Sequence, residues 1–141
     1  MQHLSFDFPA DTGILAKIGE QAARSGEKAG FSDAEIGDIQ LAVDEACSNT
    51  IIHGLKKDPD RMFQLEIRWE TGTIEILIHE TGEPFDPTAT KDPDLKASLE
   101  DRPIGGLGYY FVKEVMDEIR YQVNDNGIKT LHMIKKAKDL S

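Results

Sequence analysis

Apolar residues recur along the chain with two periods, and the points where the period changes mark its elements. Leu4, Phe6 and Phe8 alternate with polar residues up to Pro9, which predicts a short strand. Ile14, Leu15, Ile18 and Ala22 then recur at helical spacing until Gly26 and Gly30. Ser32-Asp33-Ala34-Glu35 is a capping box flanked by Phe31 and Ile36 as a staple, and it predicts the start of a second helix. Nothing breaks that pattern before Gly54, so the helix is expected to run for about 21 residues, roughly 31 Å. Leu41, Val43, Ala46, Ile51 and Ile52 are expected to face the core from it. Phe63, Leu65, Ile67 and Trp69 alternate again, Thr71-Gly72 turns the chain, and Ile74, Ile76 and Ile78 return it as a hairpin.

From Glu80 to Pro103 the apolar pattern stops, and prolines 84, 87, 93 and 103 exclude a long regular element. A loop this long in a small domain points to a lid or a binding segment, here about residues 86–104. Ile104-Gly105-Gly106-Leu107-Gly108 opens a third helix, in which Leu107, Phe111, Val115 and Ile119 are expected to share a face with Val112 and Met116 beside them. Ile119, Tyr121 and Val123 begin a last hairpin, turned at Asn126-Gly127 and returned through Ile128, Thr130, His132 and Ile134 or their neighbours. Hairpins joined to helices with no regular βαβ repeat predict an α+β two-layer sandwich, a mostly antiparallel mixed sheet with helices on one face. At 141 residues a single domain spanning 1–141 is expected.

Composition removes several function classes. With 39% hydrophobic and 30% charged residues the chain has an ordinary globular balance. Sixteen Lys and Arg against 26 Asp and Glu give a net charge of −10, a field that disfavours nucleic acid and anionic membrane as partners. Cys47 is the one cysteine, so no internal disulfide forms, and the 4 histidines make no zinc-ligand cluster. No apolar run approaches the roughly 20 residues of a membrane span and no export signal opens the chain, so the cytoplasm is expected.

Two stretches carry candidate chemistry. Glu45, Asn49 and His53 are spaced i, i+4, i+8 on the second helix, a polar row that by spacing alone reads first as a solvated outer stripe. Gly105, Gly106 and Gly108 strip side chains from a helix start, where unpaired N–H groups attract phosphate, or where a hinge would also use glycine. There is no Gly-Lys-Ser/Thr of a P-loop and no third glycine of a dinucleotide fingerprint, and His79-Glu80 lacks a histidine at 83 for a zinc-protease helix.

Three motifs in order resemble a known family. Glu45-Ala46-Cys47-Ser48-Asn49-Thr50-Ile51-Ile52-His53 is similar to the N-box of the GHKL ATPases, and Glu80-Thr81-Gly82-Glu83-Pro84-Phe85-Asp86-Pro87 to their G1 box. Gly105-Gly106-Leu107-Gly108-Tyr109-Tyr110-Phe111-Val112 with Met116-Asp117-Glu118 resembles the G2 box and helix of the bacterial anti-sigma-factor serine kinases of RsbW and SpoIIAB type. The resemblance covers most of residues 3 to 136 and implies the Bergerat ATP-binding fold, with ATP and Mg²⁺ as cofactors. It implies that Asn49 holds Mg²⁺, that Glu45 is the general base or orienting carboxylate, and that His53 helps set phosphate geometry. It places Glu80 on the adenine amine in the position of a family aspartate, makes Gly82 the glycine of close approach, and gives Gly105, Gly106, Leu107 and Gly108 to the phosphates. As partners it implies a sigma factor, an STAS-type antagonist phosphorylated on serine or threonine, and a second copy in a homodimer. The alternative of another class is a switch module that binds nucleotide or partner without transferring phosphate. The catalytic domain of a histidine kinase is a further one.

Overall fold

A computed structural model describes residues 1–82 and 106–138, so the expected lid, with Lys91, Lys96 and Arg102, and Gly105 lie outside the described residues. Strand β1 (Gln2–Pro9) leads through a short 3-10 turn (Thr12–Ile14) into α1 (Leu15–Lys28) and α2 (Asp33–Asn49). The hairpin β2 (Met62–Glu70) and β3 (Thr73–Glu80) follows, then α3 (Gly106–Val115), β4 (Glu118–Val123) and β5 (Lys129–Lys136). The five strands form one sheet in the order β1-β2-β3-β5-β4, and every pairing is antiparallel. The expected α+β sandwich is the observed one.

Register puts one apolar row under the helices. Leu65 pairs with Ile78, Ile67 with Ile76 and Trp69 with Ile74 across β2 and β3, and Ile76 and Ile78 continue onto Met133 and Leu131 of β5. These side chains are buried together with Ile18 and Ala22 of α1, Ile39, Val43 and Cys47 of α2 and Val112 of α3. The opposite face is polar and cross-linked by Glu66, which accepts from His79 at 2.6 Å and pairs with His3 at 2.9 Å. Burial pushes the Glu66 carboxyl up, but the hydrogen bonds from His3 and His79 and the charges of His79 and Arg68 outweigh it and hold it below the usual range.

Of the two alternatives left open for the return strand of the last hairpin, the neighbours hold: Lys129, Leu131, Met133 and Lys135 face inward. Lys135 is buried because its Nζ donates to the Val115 carbonyl at 2.6 Å, closing the C-terminal end of α3. Two other expectations are corrected. The buried side of α3 is Tyr109, Val112 and Met116, while Phe111 is 45% exposed and Ile119 belongs to β4. Leu41 and Ile52 of the second helix also face out, whereas Val43, Ala46 and Ile51 are buried.

The capping box at Ser32 is formed as expected: Ser32 Oγ accepts from Glu35 N–H at 3.2 Å and the Glu35 carboxylate accepts from Ser32 N–H at 3.0 Å. Because α2 carries the candidate site, its start is a direct handle on the stability of that site. Ser32→Ala is expected to cost about 1 kcal/mol, read as a lower urea midpoint at unchanged m-value; an unchanged midpoint would contradict the cap's role.

Candidate functional site

The second helix does not end as a regular α-helix. After Asn49 its last turn, Thr50–Gly54, widens into a π-helical turn, a feature found mostly at functional sites. Each residue of such a turn advances less around the axis than an α-helical residue. His53 is thereby brought back toward the line of Glu45 and Asn49 rather than drifting away from it. The electrostatics agree with that alignment, since the charge of His53 acts on the Glu45 carboxyl. Burial is the largest influence on Glu45 and raises its pKa; Asp44 adds to the rise, and the hydrogen bond from Asn49 and the charge of His53 oppose it.

A cleft opens beside this turn. It is lined by Ala46, Asn49, Thr50 and Gly54 of the second helix, Ile78 and Glu80 of β3, and Tyr109 and Val112 of α3. Tyr121 of β4 and Lys129 and Leu131 of β5 complete the lining. The space within it, counting its open mouth and the solvent there, is about 490 Å³. Part of its lining is apolar, from Ala46, Ile78, Val112 and Leu131, and its polar residues include the amide of Asn49, the carboxylate of Glu80 and the ammonium of Lys129 beside Thr50, Tyr109 and Tyr121.

The structure thus brings the end of α2, through Ala46 and Asn49, and the middle of α3, through Tyr109 and Val112, to one cavity. Asn49 and Glu80 line it directly. Gly106, Leu107 and Gly108 form the first turn of α3, immediately before the cleft-lining Tyr109. Glu45, His53 and Gly82 do not themselves line the cleft; Glu45 is joined to it by the hydrogen bond from Asn49. That bond uses the amide N–H of Asn49, which leaves its carbonyl oxygen as the atom that can face a hard cation. The donor set therefore fits Mg²⁺ at Asn49, with remaining ligands supplied by water and phosphate.

Gly82 is required for a reason of packing. A Cβ added there would lie 2.0 Å from the carbonyl oxygen of Gly54 and 2.8 Å from Glu80 Oε2. The close approach that excludes a side chain is thus between the turn after β3 and the end of the second helix. Both backbone groups of Gly82 are held as well: its N–H donates to Glu80 Oε2 and its carbonyl accepts from Lys129 Nζ. Arg61 Nη2 donates to the neighbouring Thr81 carbonyl at 3.4 Å.

Sequence reasoning missed Gly54, Tyr109, Tyr121 and Lys129. The signal for Lys129 was a lysine on the core-facing register of a strand, two residues before Leu131. Tyr109 was readable only once the helical face was drawn through Val112 and Met116.

Residues 8–135 match the family model of the histidine kinase-like ATPase domain, and the chain belongs to that family. Within it the chain is similar to serine-protein kinase RsbW of Bacillus subtilis, 28% identical over 138 residues that cover 94% of this chain and 84% of that protein. RsbW of Bacillus licheniformis is 32% identical over 113 residues, 77% of this chain and 69% of that protein. In fold the chain is like one chain of the SiaB–SiaC complex of Pseudomonas aeruginosa, at TM-score 0.65 and 18% identity over 93% of this chain and 88% of that one. It is also like the RsbU and RsbW domains of a Mycobacterium tuberculosis protein, at TM-score 0.62 and 15% identity over all of this chain and 34% of that one. Among the described residues no helix is long and apolar enough to cross a membrane.

Two outcomes follow from the site's construction. Gly82→Ala should destabilise the fold by about 1–3 kcal/mol, the cost of overpacking against a backbone that cannot yield, measured by urea unfolding; a neutral effect would place Gly82 away from Gly54. A carboxyl whose pKa is raised on folding withdraws stability as pH rises through its folded pKa. Glu45→Gln should therefore melt above the natural chain at pH 7, the gain fading as pH falls from the raised folded pKa and vanishing once the ordinary glutamate range is reached. A lower melting temperature at pH 7 would show that the charged form of Glu45 is structurally required.

Proposed function

We propose that this protein is a Mg·ATP-dependent protein serine/threonine kinase that works as an anti-sigma-type switch. In this reading residues 1–141 form one ATP-binding unit with residues 86–104 as its lid, pair as a homodimer in the cytoplasm, sequester a sigma factor, and phosphorylate an STAS-type antagonist. The observation that carries the reading is one cleft with an apolar floor lined by Asn49, Glu80 and Lys129, with Glu45 one helical turn before Asn49. The naming of the RsbW relatives as serine-protein kinases supports the reaction class.

Phosphoryl transfer needs positioning and charge stabilisation more than covalent chemistry from the protein. Asn49 supplies a neutral oxygen toward Mg²⁺, and the metal neutralises charge on the β- and γ-phosphates when bound. The N–H groups at the start of α3 face phosphate, with two glycines, Gly106 and Gly108, in its first turn to keep side chains out of the way. Glu45 accepts the proton of the attacking serine or threonine hydroxyl as its oxygen bonds to the γ-phosphorus and the bond to ADP breaks. Partial burial makes Glu45 a stronger base than an exposed glutamate. His53 positions Glu45 by its charge and keeps it ionised against that burial. Glu80 accepts from the adenine amine.

The test is transfer of label from Mg·ATP to an STAS-type protein. The natural chain should label a serine or threonine, and Glu45→Gln should slow transfer by about 10²–10⁴-fold while still binding ATP. Asn49→Ala should lose the Mg²⁺ dependence of ATP binding while keeping its fold, and Gly106→Val should block nucleotide. Tight ATP binding by the natural chain without any transfer would instead favour the non-catalytic switch module.

A further inference from the structure

Lys129 is a lysine only 9% exposed, on the inward register of β5, and it lines the cleft. Its cross-strand partner is Glu80. Side chains directly opposite in an antiparallel pair start about 5 Å apart, so an ammonium and a carboxylate enter the same end of the cleft side by side. Each has one bond to the Gly82 backbone: Lys129 Nζ donates to the carbonyl, and Glu80 Oε2 accepts from the N–H. An ammonium has three donors and a carboxylate two oxygens. After those bonds the pair still offers two N–H groups and one whole carboxylate oxygen, above the apolar floor of Ile78 and Leu131.

The chemistry of that end selects its occupant. A carboxylate there repels phosphate, and an ammonium repels a cationic amine. What fits is a flat, neutral group whose edge carries a hydrogen-bond donor beside an acceptor, which describes a nucleobase. Guanine would present two adjacent donors, N1–H and N2–H, to a carboxylate with both oxygens open, but Glu80 has one oxygen committed to Gly82. Adenine presents one exocyclic amine beside one bare ring nitrogen, which matches one open oxygen and one ammonium.

We infer that Lys129 is the base-selecting residue of the cleft, donating to the N1 ring nitrogen of adenine while Glu80 accepts from the adjacent amine. The inference rests on the nucleotide reading above and adds to it a direct, charge-assisted contact from β5. It also explains why a lysine is kept at an inward position among Ile78, Leu131 and Met133, where an apolar residue would otherwise be favoured.

The experiment is calorimetric titration of the full chain with Mg·ATP, with Mg·GTP and with the Mg²⁺ complex of 1-deaza-ATP, which has C–H in place of N1. The natural chain should bind the deaza analogue about 10–100-fold more weakly than ATP, the loss expected for one hydrogen bond from a charged donor, and GTP more weakly still. Lys129→Met should bind ATP as weakly as the natural chain binds the analogue, and should no longer distinguish the two. Equal affinity of the natural chain for ATP and 1-deaza-ATP would overturn the inference while leaving nucleotide binding intact; this comparison needs no variant and stands even if Lys129→Met does not fold. A Lys129→Met chain that still discriminates, or tighter binding of GTP than ATP, would likewise overturn it. No ATP binding at all would overturn the nucleotide reading itself, and this inference with it.

Discussion

The site depends on one contact between two stretches of backbone. The turn after β3 approaches the end of the second helix so closely that a side chain at 82 would overlap the Gly54 carbonyl. Both partners are glycines, and the widening of the helix over Thr50–Gly54 sets where that carbonyl points. Glu80 and Lys129 hold the Gly82 amide from its two ends. The sheet and α2 are thereby locked together beside the cleft, and the side chains that line it are carried on elements fixed relative to one another.

The same arrangement shows how the fold and the chemistry pull against each other. Glu45 is partly buried at a cost to its ionised form, and Asn49 and His53 offset part of that cost. A glutamine would suit the packing there at least as well, so packing alone does not account for a carboxylate at this position. Lys129 is a second case: a cation placed in a core register, held by a backbone carbonyl and turned toward the cleft. The two buried lysines of β5 divide the work, since Lys135 closes the end of α3 and Lys129 grips the turn at 82.

Much of this was legible in the chain because local signals agreed with the tertiary structure. The capping box at Ser32, the alternation through Phe63–Trp69 and Ile74–Ile78, and the turn at Thr71-Gly72 each predict the element that is observed. The row Glu45, Asn49, His53 was legible as spacing, but the π-helical turn over Thr50–Gly54 was not, because no residue type in that stretch marks a widened turn. The last hairpin was ambiguous for a physical reason. Both registers of Lys129–Lys136 mix apolar and polar residues, and buried lysines made the inward one look like the solvent face. The face of α3 was misdrawn because Tyr109, amphipathic in isolation, is a core residue here and Phe111 is not.

The central claim is that α2, α3 and the β3–β5 pair form one nucleotide cleft, with metal at Asn49 and base between Glu80 and Lys129. A crystal structure of the full chain with Mg²⁺ and a non-hydrolysable ATP analogue tests it most directly. The account predicts the metal within coordination distance of the Asn49 side-chain oxygen, the triphosphate at the start of α3, and the purine on the floor of Ile78 and Leu131. Nucleotide bound elsewhere, or bound in this cleft with its base turned away from Glu80 and Lys129, would contradict it.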